Sequence, residues 1–442
     1  MIEIEGRVLA GLDEFMLRAG HLVLLCRVAH DVGGSWRRIH REAVEKLSLP
    51  VTVSTERNQE IAEYLASKNL CRHHEQKDGP GRSTDNYRYP DLETYFGPSG
   101  ELLLRAVGAE HVRIDWQDRN LADRRVRSRV GAISWSAKAG SKTGVSHVCD
   151  WAQFLELIDS SGQLSPIGRL LVTVTGATEI PYEQWNPYVL EEERVILAYQ
   201  YFRKDIDLFS RFTPLLINAE APLSKSICRE LFVQALKACV VDSETSKAMS
   251  SRDRFELYQQ LRDLERAAMK SNVNIDETST GWHRTASRVE TLTDLGLLVK
   301  GLKREEEKYQ YIYYTTDRLV SAAESLSHVN SGEEWIENHL VNVTLGLSKN
   351  ENTTMTHKEL LENLNRIVSA LKLPTTLLPI GCLALGLVYL NAKYSKYISI
   401  YELRKMLEEL PIQYPNIARL ARGREGTHAE YISLNIRELA EI

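Results

Sequence analysis

Apolar residues recur at helical spacing along much of the chain and alternate with polar ones in a few short stretches. Leu12 to Ala29 carries an apolar stripe at helical spacing, and Val32-Gly33-Gly34-Ser35 interrupts it. Arg37 to Leu47 is a second amphipathic stretch, closed by Pro50. Ser54 is placed to cap a third helix running to Asn69, with Ile61, Tyr64 and Leu65 at i, i+3 and i+4 on its inner face. Leu70 to Gln76 then reads as a strand, Lys77-Asp78-Gly79-Pro80-Gly81-Arg82 as a tight charged turn, and Asn86 to Tyr89 as the returning strand.

The same order returns at residues 253–325. Arg254 to Lys270 is helical, and Ser279 or Thr280 caps a helix that ends at Gly296 with Val289, Leu292 and Leu295 inside. Leu297 to Val299 is a strand, Lys303 to Lys308 a charged turn, and Tyr309 to Tyr314 the return. A weaker copy lies at 380–436: helices Leu385–Lys393 and Tyr401–Leu410, a short helix Pro415–Ala421, a turn at Arg422–Gly426 and a last strand Tyr431–Leu434. Between the copies, residues 183–245 read as helical, with segments 190–210 and 224–241. A short repeat, Pro-x-Gly-x-Leu-Leu, occurs at Pro98 and at Pro166, each time as an expected helix start.

Three helices followed by a β-hairpin resemble the winged helix-turn-helix superfamily. The resemblance is architectural and covers residues 10–95 before recurring in the later copies. It implies a mainly α chain with small β-hairpins (α+β), in which tandem winged-helix domains are linked by a helical middle region. The expected boundaries are 1–110, 111–250 for the basic segment and helical middle, 251–328 and 329–442.

Such a fold implies a recognition helix in the major groove of DNA and a wing on the phosphates. With Val289 facing the core and about 100° per residue, His283, Arg284, Ser287 and Thr291 fall on the outer side of the second copy, flanked by Arg288. Lys303, Arg304 and Lys308 mark its wing, interrupted by Glu305-Glu306-Glu307. In the first copy Arg57, Asn58 and Gln59 lie near the start of the recognition helix, but Glu56, Glu60 and Glu63 on the same helix repel phosphate. Lys77 and Arg82 on its wing, and Arg37, Arg38 and Arg41, offset this in part. The third copy offers Arg419, Arg422, Arg424 and His428.

The whole chain, 442 residues with a net charge of −5, has no global nucleic-acid signature, so DNA contact depends on local patches. The strongest is Arg119 to Lys142, where Arg119, Arg124, Arg125, Arg127, Arg129, Lys138 and Lys142 face a single anion, Asp123. Trp135 within it is read either as a core side chain or as a platform for an exposed base. The six cysteines form no Cys-x-x-Cys pair, which points to reduced thiols, and Cys71-Arg72-His73-His74 lacks a ligand pattern because Cys71 and His73 would share a strand face opposite His74.

Catalytic motifs fail on inspection. Gly140-Ser141-Lys142-Thr143 has a serine where a phosphate-binding loop needs Gly-Lys directly, and Asp242-Ser243-Glu244 with Lys247 reads as a helix end with surface charge. No cofactor or metal is expected. Met1-Ile2-Glu3-Ile4-Glu5 does not open as a secretory leader, and the apolar run Leu377–Leu390 is shorter than the roughly 18 residues of a membrane span, so a cytoplasmic protein is expected. The reading is a DNA-binding protein for double-stranded DNA: a regulator, a replication initiator, or the recognition subunit of a mobile-element or antiviral defence complex, with other protein subunits as possible partners. The alternative is a structural adaptor whose winged helices dock protein.

Overall fold

The structure is a computed structural model. It describes residues 2–8, 19–47, 71–76, 82–88, 93–96, 102–105, 111–117, 129–136, 142–179, 182, 191–219, 222–305, 308–347, 354–372, 377–422 and 429–440. Along the strands between 71 and 136, and at 301–311, the backbone alone is described. Helices predominate, and the strands form small antiparallel sheets.

Helix α1 (Ala19–Val32) buries an almost continuous apolar surface and stops where Gly33 and Gly34 take positive φ, a conformation that costs other residues a steric clash. Helix α2 (Trp36–Leu47) follows with Ile39 and Ala43 inward. Strands β1 (Cys71–Gln76) and β2 (Arg82–Arg88) pair as a hairpin, and β3 (Glu93–Phe96) pairs with β4 (Leu102–Arg105). Strands β5 (His111–Gln117) and β6 (Arg129–Ser136) extend the first hairpin into a four-stranded sheet of order β1-β2-β5-β6. The expected boundary at residue 110 is therefore corrected, because the sheet runs across it. The first Pro-x-Gly-x-Leu-Leu copy leads into a strand, β4. The second starts a helix, as expected.

That helix is α4 (Pro166–Thr173), which follows α3 (Lys142–Phe154). Ser165 caps it by accepting from Gly168 N. Helix α5 (Glu191–Ile217) is the longest element and bends at Asp205, which has φ −132° and ψ 15°. Its Phe202 and Phe209 pack on Trp335 at centroid distances of 5.3 and 5.7 Å, and the Trp335 indole donates to Ser325 Oγ at 2.9 Å.

Next come β7 (Leu223–Ser224), α6 (Lys225–Thr245), α7 (Ser251–Ser271), α8 (Ser279–Asp294), β8 (Leu298–Glu305) and β9 (Lys308–Thr315). After α9 (Asp317–Leu326), α10 (Gly332–Asn338), α11 (Leu340–Leu345) and α12 (His357–Leu371) the chain repeats this order with one helix fewer, as β10 (Leu377–Pro379), α13 (Ile380–Ala392), α14 (Ile400–Gln413), β11 (Ala418–Arg422), β12 (Ala429–Leu434) and α15 (Ile436–Ala440). The two three-stranded sheets share one topology, β7-β9-β8 and β10-β12-β11, in which the first strand pairs with the last. Because β7 belongs to the same sheet as β8 and β9, the expected boundary at residue 250 cuts through this unit and is corrected. The expected short helix Pro415–Ala421 is also corrected: Ala418–Arg422 is strand β11, and α14 precedes it. The apolar run from Leu377 is β10 followed by α13, which is buried nearly all round.

Residues 2–8 strap the helical part together. Asp207 of α5 accepts from Glu5 N at 3.0 Å and Arg7 N at 2.6 Å, Arg211 donates to Ile2 O at 3.1 Å, and Ser246 Oγ donates to Ile4 O at 2.7 Å. Ile2 and Ile4 are buried beneath these bonds.

Candidate nucleic-acid interface

Helix α8 begins at Thr278, whose hydroxyl accepts from Gly281 N at 2.9 Å. Its expected outer face is an inner one. Arg284, Ser287, Arg288 and Thr291 are all buried, and only His283 of that set is exposed. Arg284 Nη1 donates to Gln260 O on α7 at 2.9 Å and its guanidinium lies 3.7 Å from the Asp263 carboxylate. Arg288 Nε donates to Asp205 Oδ2 on α5 at 3.2 Å, and Tyr201 OH donates to the same oxygen at 2.9 Å. Phe232 of α6 stacks under the Arg288 guanidinium at 5.3 Å. The assignment of Arg284, Ser287 and Arg288 to base contact is thus corrected. The two guanidiniums are paired by α7 and α5, which cover the face that periodicity alone assigns to solvent, and the Ser287 hydroxyl donates to Arg284 O at 2.7 Å within α8.

On the other side of α8, Glu290 Oε1 accepts from Lys300 Nζ at 2.5 Å and from Tyr313 OH at 2.7 Å. Both ends of this ion pair are buried, so it locks α8 to the β8–β9 hairpin. Lys303 and Arg304 lie on β8, where the backbone is described.

In the last unit Arg419 is exposed on β11, and Arg422 ends that strand. Arg57, Asn58, Gln59, Lys77, Arg124, Arg125, Arg127 and Arg424 lie outside the described residues.

The four-stranded sheet brings together what the sequence held apart. Direct partners on neighbouring strands share a face. Arg82, Gln117 and Arg129 form one row, Asn86, Arg113 and Ser134 another, and Arg88, His111 and Ser136 a third. These rows lie on the same face, since they are an even number of residues apart along β2 and β5. The opposite face carries Tyr87, Val112 and Trp135 in one row, Ile114 and Ile133 in another, and Trp116 with Val130. The sheet is therefore two-sided: one face bears Arg82, Arg88, Arg113 and Arg129 with Glu75 and Asp115, and the other is apolar along β5 and β6 but carries His74, Gln76, Ser83 and Asp85 on β1 and β2. Trp135 falls in a row with Tyr87 and Val112, on the face opposite the arginines. A bulge between Cys71 and His73 also moves these two to opposite faces, correcting the expectation that they share one.

The row Arg82–Gln117–Arg129 is also where both connections leave. The β1–β2 link (residues 77–81) contains Lys77, and the β5–β6 link (residues 118–128) contains Arg119, Arg124, Arg125 and Arg127. Sequence reasoning found Arg82, Arg129 and these links but missed Arg88, His111 and Arg113. The alternation His111-Val112-Arg113-Ile114-Asp115-Trp116-Gln117 was the signal that would have found them.

No catalytic constellation competes with this surface among the described residues. Burial pushes the Cys149, Cys228 and Cys382 thiols up to about 12, so none is a nucleophile at neutral pH. Among the described residues no group of three or more His, Cys, Asp or Glu is placed to hold a metal, and no helix is long and apolar enough to cross a membrane. No protein-family model, curated protein or solved structure matches the chain.

Proposed function

We propose that the protein binds duplex DNA, gripping phosphates with the arginine-bearing face of the four-stranded sheet. The observation that carries this reading is the strand register, which gathers Arg82, Arg88, Arg113 and Arg129 on one face at strands joined by the arginine-rich β5–β6 connection. Arginine suits phosphate through its bidentate fork, and a face without tryptophan or tyrosine offers little for stacking on unpaired bases. Binding of this kind is electrostatic and indifferent to sequence. We further infer that the two units of order β7-β9-β8 and β10-β12-β11 are tandem winged helices, the first with an additional helix, α7, between its helix pair.

The test is fluorescence anisotropy of a labelled random-sequence duplex across a salt series. Arg113→Ala and Arg88→Ala should each weaken binding to all sequences alike and lower the salt slope by about one. Absence of salt-dependent binding by the intact protein overturns the proposal. The second reading, an adaptor in a DNA-associated machine, is favoured by two observations: α8 has its arginines buried, and α14 exposes more glutamate than lysine. On that reading the winged units dock protein, and a pull-down returns stable subunits while duplex affinity stays weak.

A further inference from the structure

We propose that α14 is a self-association surface, through which two copies of the chain pair helix against helix in antiparallel orientation. Helix α14 spans Ile400–Gln413, about 21 Å at the usual rise per residue. Ser399 and Glu402 form a capping box at its start, so the helix is firmly begun. Ile400, Leu403, Leu407 and Leu410 are buried and face its own unit.

The opposite face carries Tyr401, Lys405, Glu408 and Ile412, at steps of four, three and four residues. At about 100° per residue these four fall within a narrow stripe centred opposite Leu403 and Leu407. That spacing matches the a and d positions of a two-stranded coiled coil, with apolar residues at the two outer positions and opposite charges at the two inner ones. Tyr401 is 50% exposed and Ile412 82% exposed, so both ends of the stripe present apolar surface.

The stripe is self-complementary. A two-fold axis crossing the helix between Met406 and Leu407 sets Tyr401 opposite Ile412 of the second copy, and Lys405 opposite its Glu408. Each pairing occurs twice, as an isologous interface requires. An unrelated partner gives no reason for this palindrome of apolar, basic, acidic and apolar positions. Duplex DNA fits poorly, because Glu402, Glu408 and Glu409 outnumber Lys405 among the charges in and beside the stripe. Arg404, on the flank, is committed to Glu337 and does not offset them.

The seam is about three turns long, which makes a weak pair with a dissociation constant in the micromolar range. A dimer would double the number of arginine-bearing sheets available to one ligand. The inference does not depend on that ligand.

Sedimentation velocity on the full chain, from about 1 to 100 μM, measures the association directly. The wild type should shift from monomer to dimer over this range. Lys405→Glu and Glu408→Lys should each weaken the dimer at least about tenfold, since each sets like charges opposite one another twice. The double variant Lys405→Glu/Glu408→Lys re-forms both pairs and should recover the dimer. Ile412→Asp should abolish it with an unchanged thermal midpoint, because Ile412 touches little within its own chain. A wild type that stays monomeric throughout, a double variant as weak as the singles, or a dimer indifferent to Ile412→Asp overturns the proposal.

Discussion

Replacing Arg288 by alanine removes one half of an ion pair whose ends are among the most enclosed charges in the protein. Arg288 is 2% exposed and Asp205 1% exposed, with Nε 3.2 Å from Oδ2. The alanine variant leaves the Asp205 carboxylate in the interior with Tyr201 OH as a remaining donor. Truncating one partner of a buried pair costs about 3–5 kcal/mol, chiefly the penalty of the charge left behind. For a chain of this size that lowers the thermal midpoint by roughly 3–5 °C. Differential scanning calorimetry measures it. A triple variant, Tyr201→Phe/Asp205→Leu/Arg288→Met, removes the whole polar cluster and should recover most of the loss, since well-packed apolar groups of similar volume replace such clusters at little cost. DNA affinity and its salt slope should be unchanged in folded Arg288→Ala. If that variant unfolds within about 1 kcal/mol of wild type and loses duplex affinity instead, Arg288 is a surface contact and its placement between α5 and α8 is wrong.

Three further outcomes test other parts of the fold. Burial is the largest influence on Asp207 and raises its pKa above 3.8, outweighing the Glu5 and Arg7 amides that favour its charged form. The folded protein thus binds this proton more tightly than the unfolded chain, so the associated stability is fully present below pH 3.8 and is lost as pH rises through the folded pKa. Urea unfolding from about pH 4 to 7 should show this slope in wild type and lose it in Asp207→Asn. Gly168→Ala places a Cβ 2.0 Å from Leu157 O, a backbone atom that cannot yield, and should cost at least about 1–3 kcal/mol in chemical denaturation; a neutral result would mean that α4 does not pack against residue 157. Lys300→Met should destabilise by about 3 kcal/mol by removing the cation paired with the buried Glu290 carboxylate, and Lys300→Met/Glu290→Gln should cost less than the single change in the same assay.

The sequence by itself determined the local elements where one face is apolar and a cap or glycine marks the end. The stripe of α1 closed by Gly33, the helix from Ser279 ended near Gly296, and the tyrosine-rich return strand at 309–314 were legible because period and punctuation agree. It also contained the alternation of 111–117, which lay hidden beneath the run of arginines that follows it. Only the tertiary structure decided which polar faces meet solvent. Arg284 and Arg288 occupy positions on a helix face that periodicity assigns to water, yet Gln260 and Asp205 arrive from segments 24 and 83 residues away to satisfy them. Register was decided there as well: which strand lies beside which is a matter of long-range pairing, so Arg82 and Arg129 became neighbours across Gln117 through contacts that no local pattern encodes. The physical reason is common to both. Periodicity reports the polarity of a face, whereas burial depends on whether another part of the chain can supply hydrogen bonds to it.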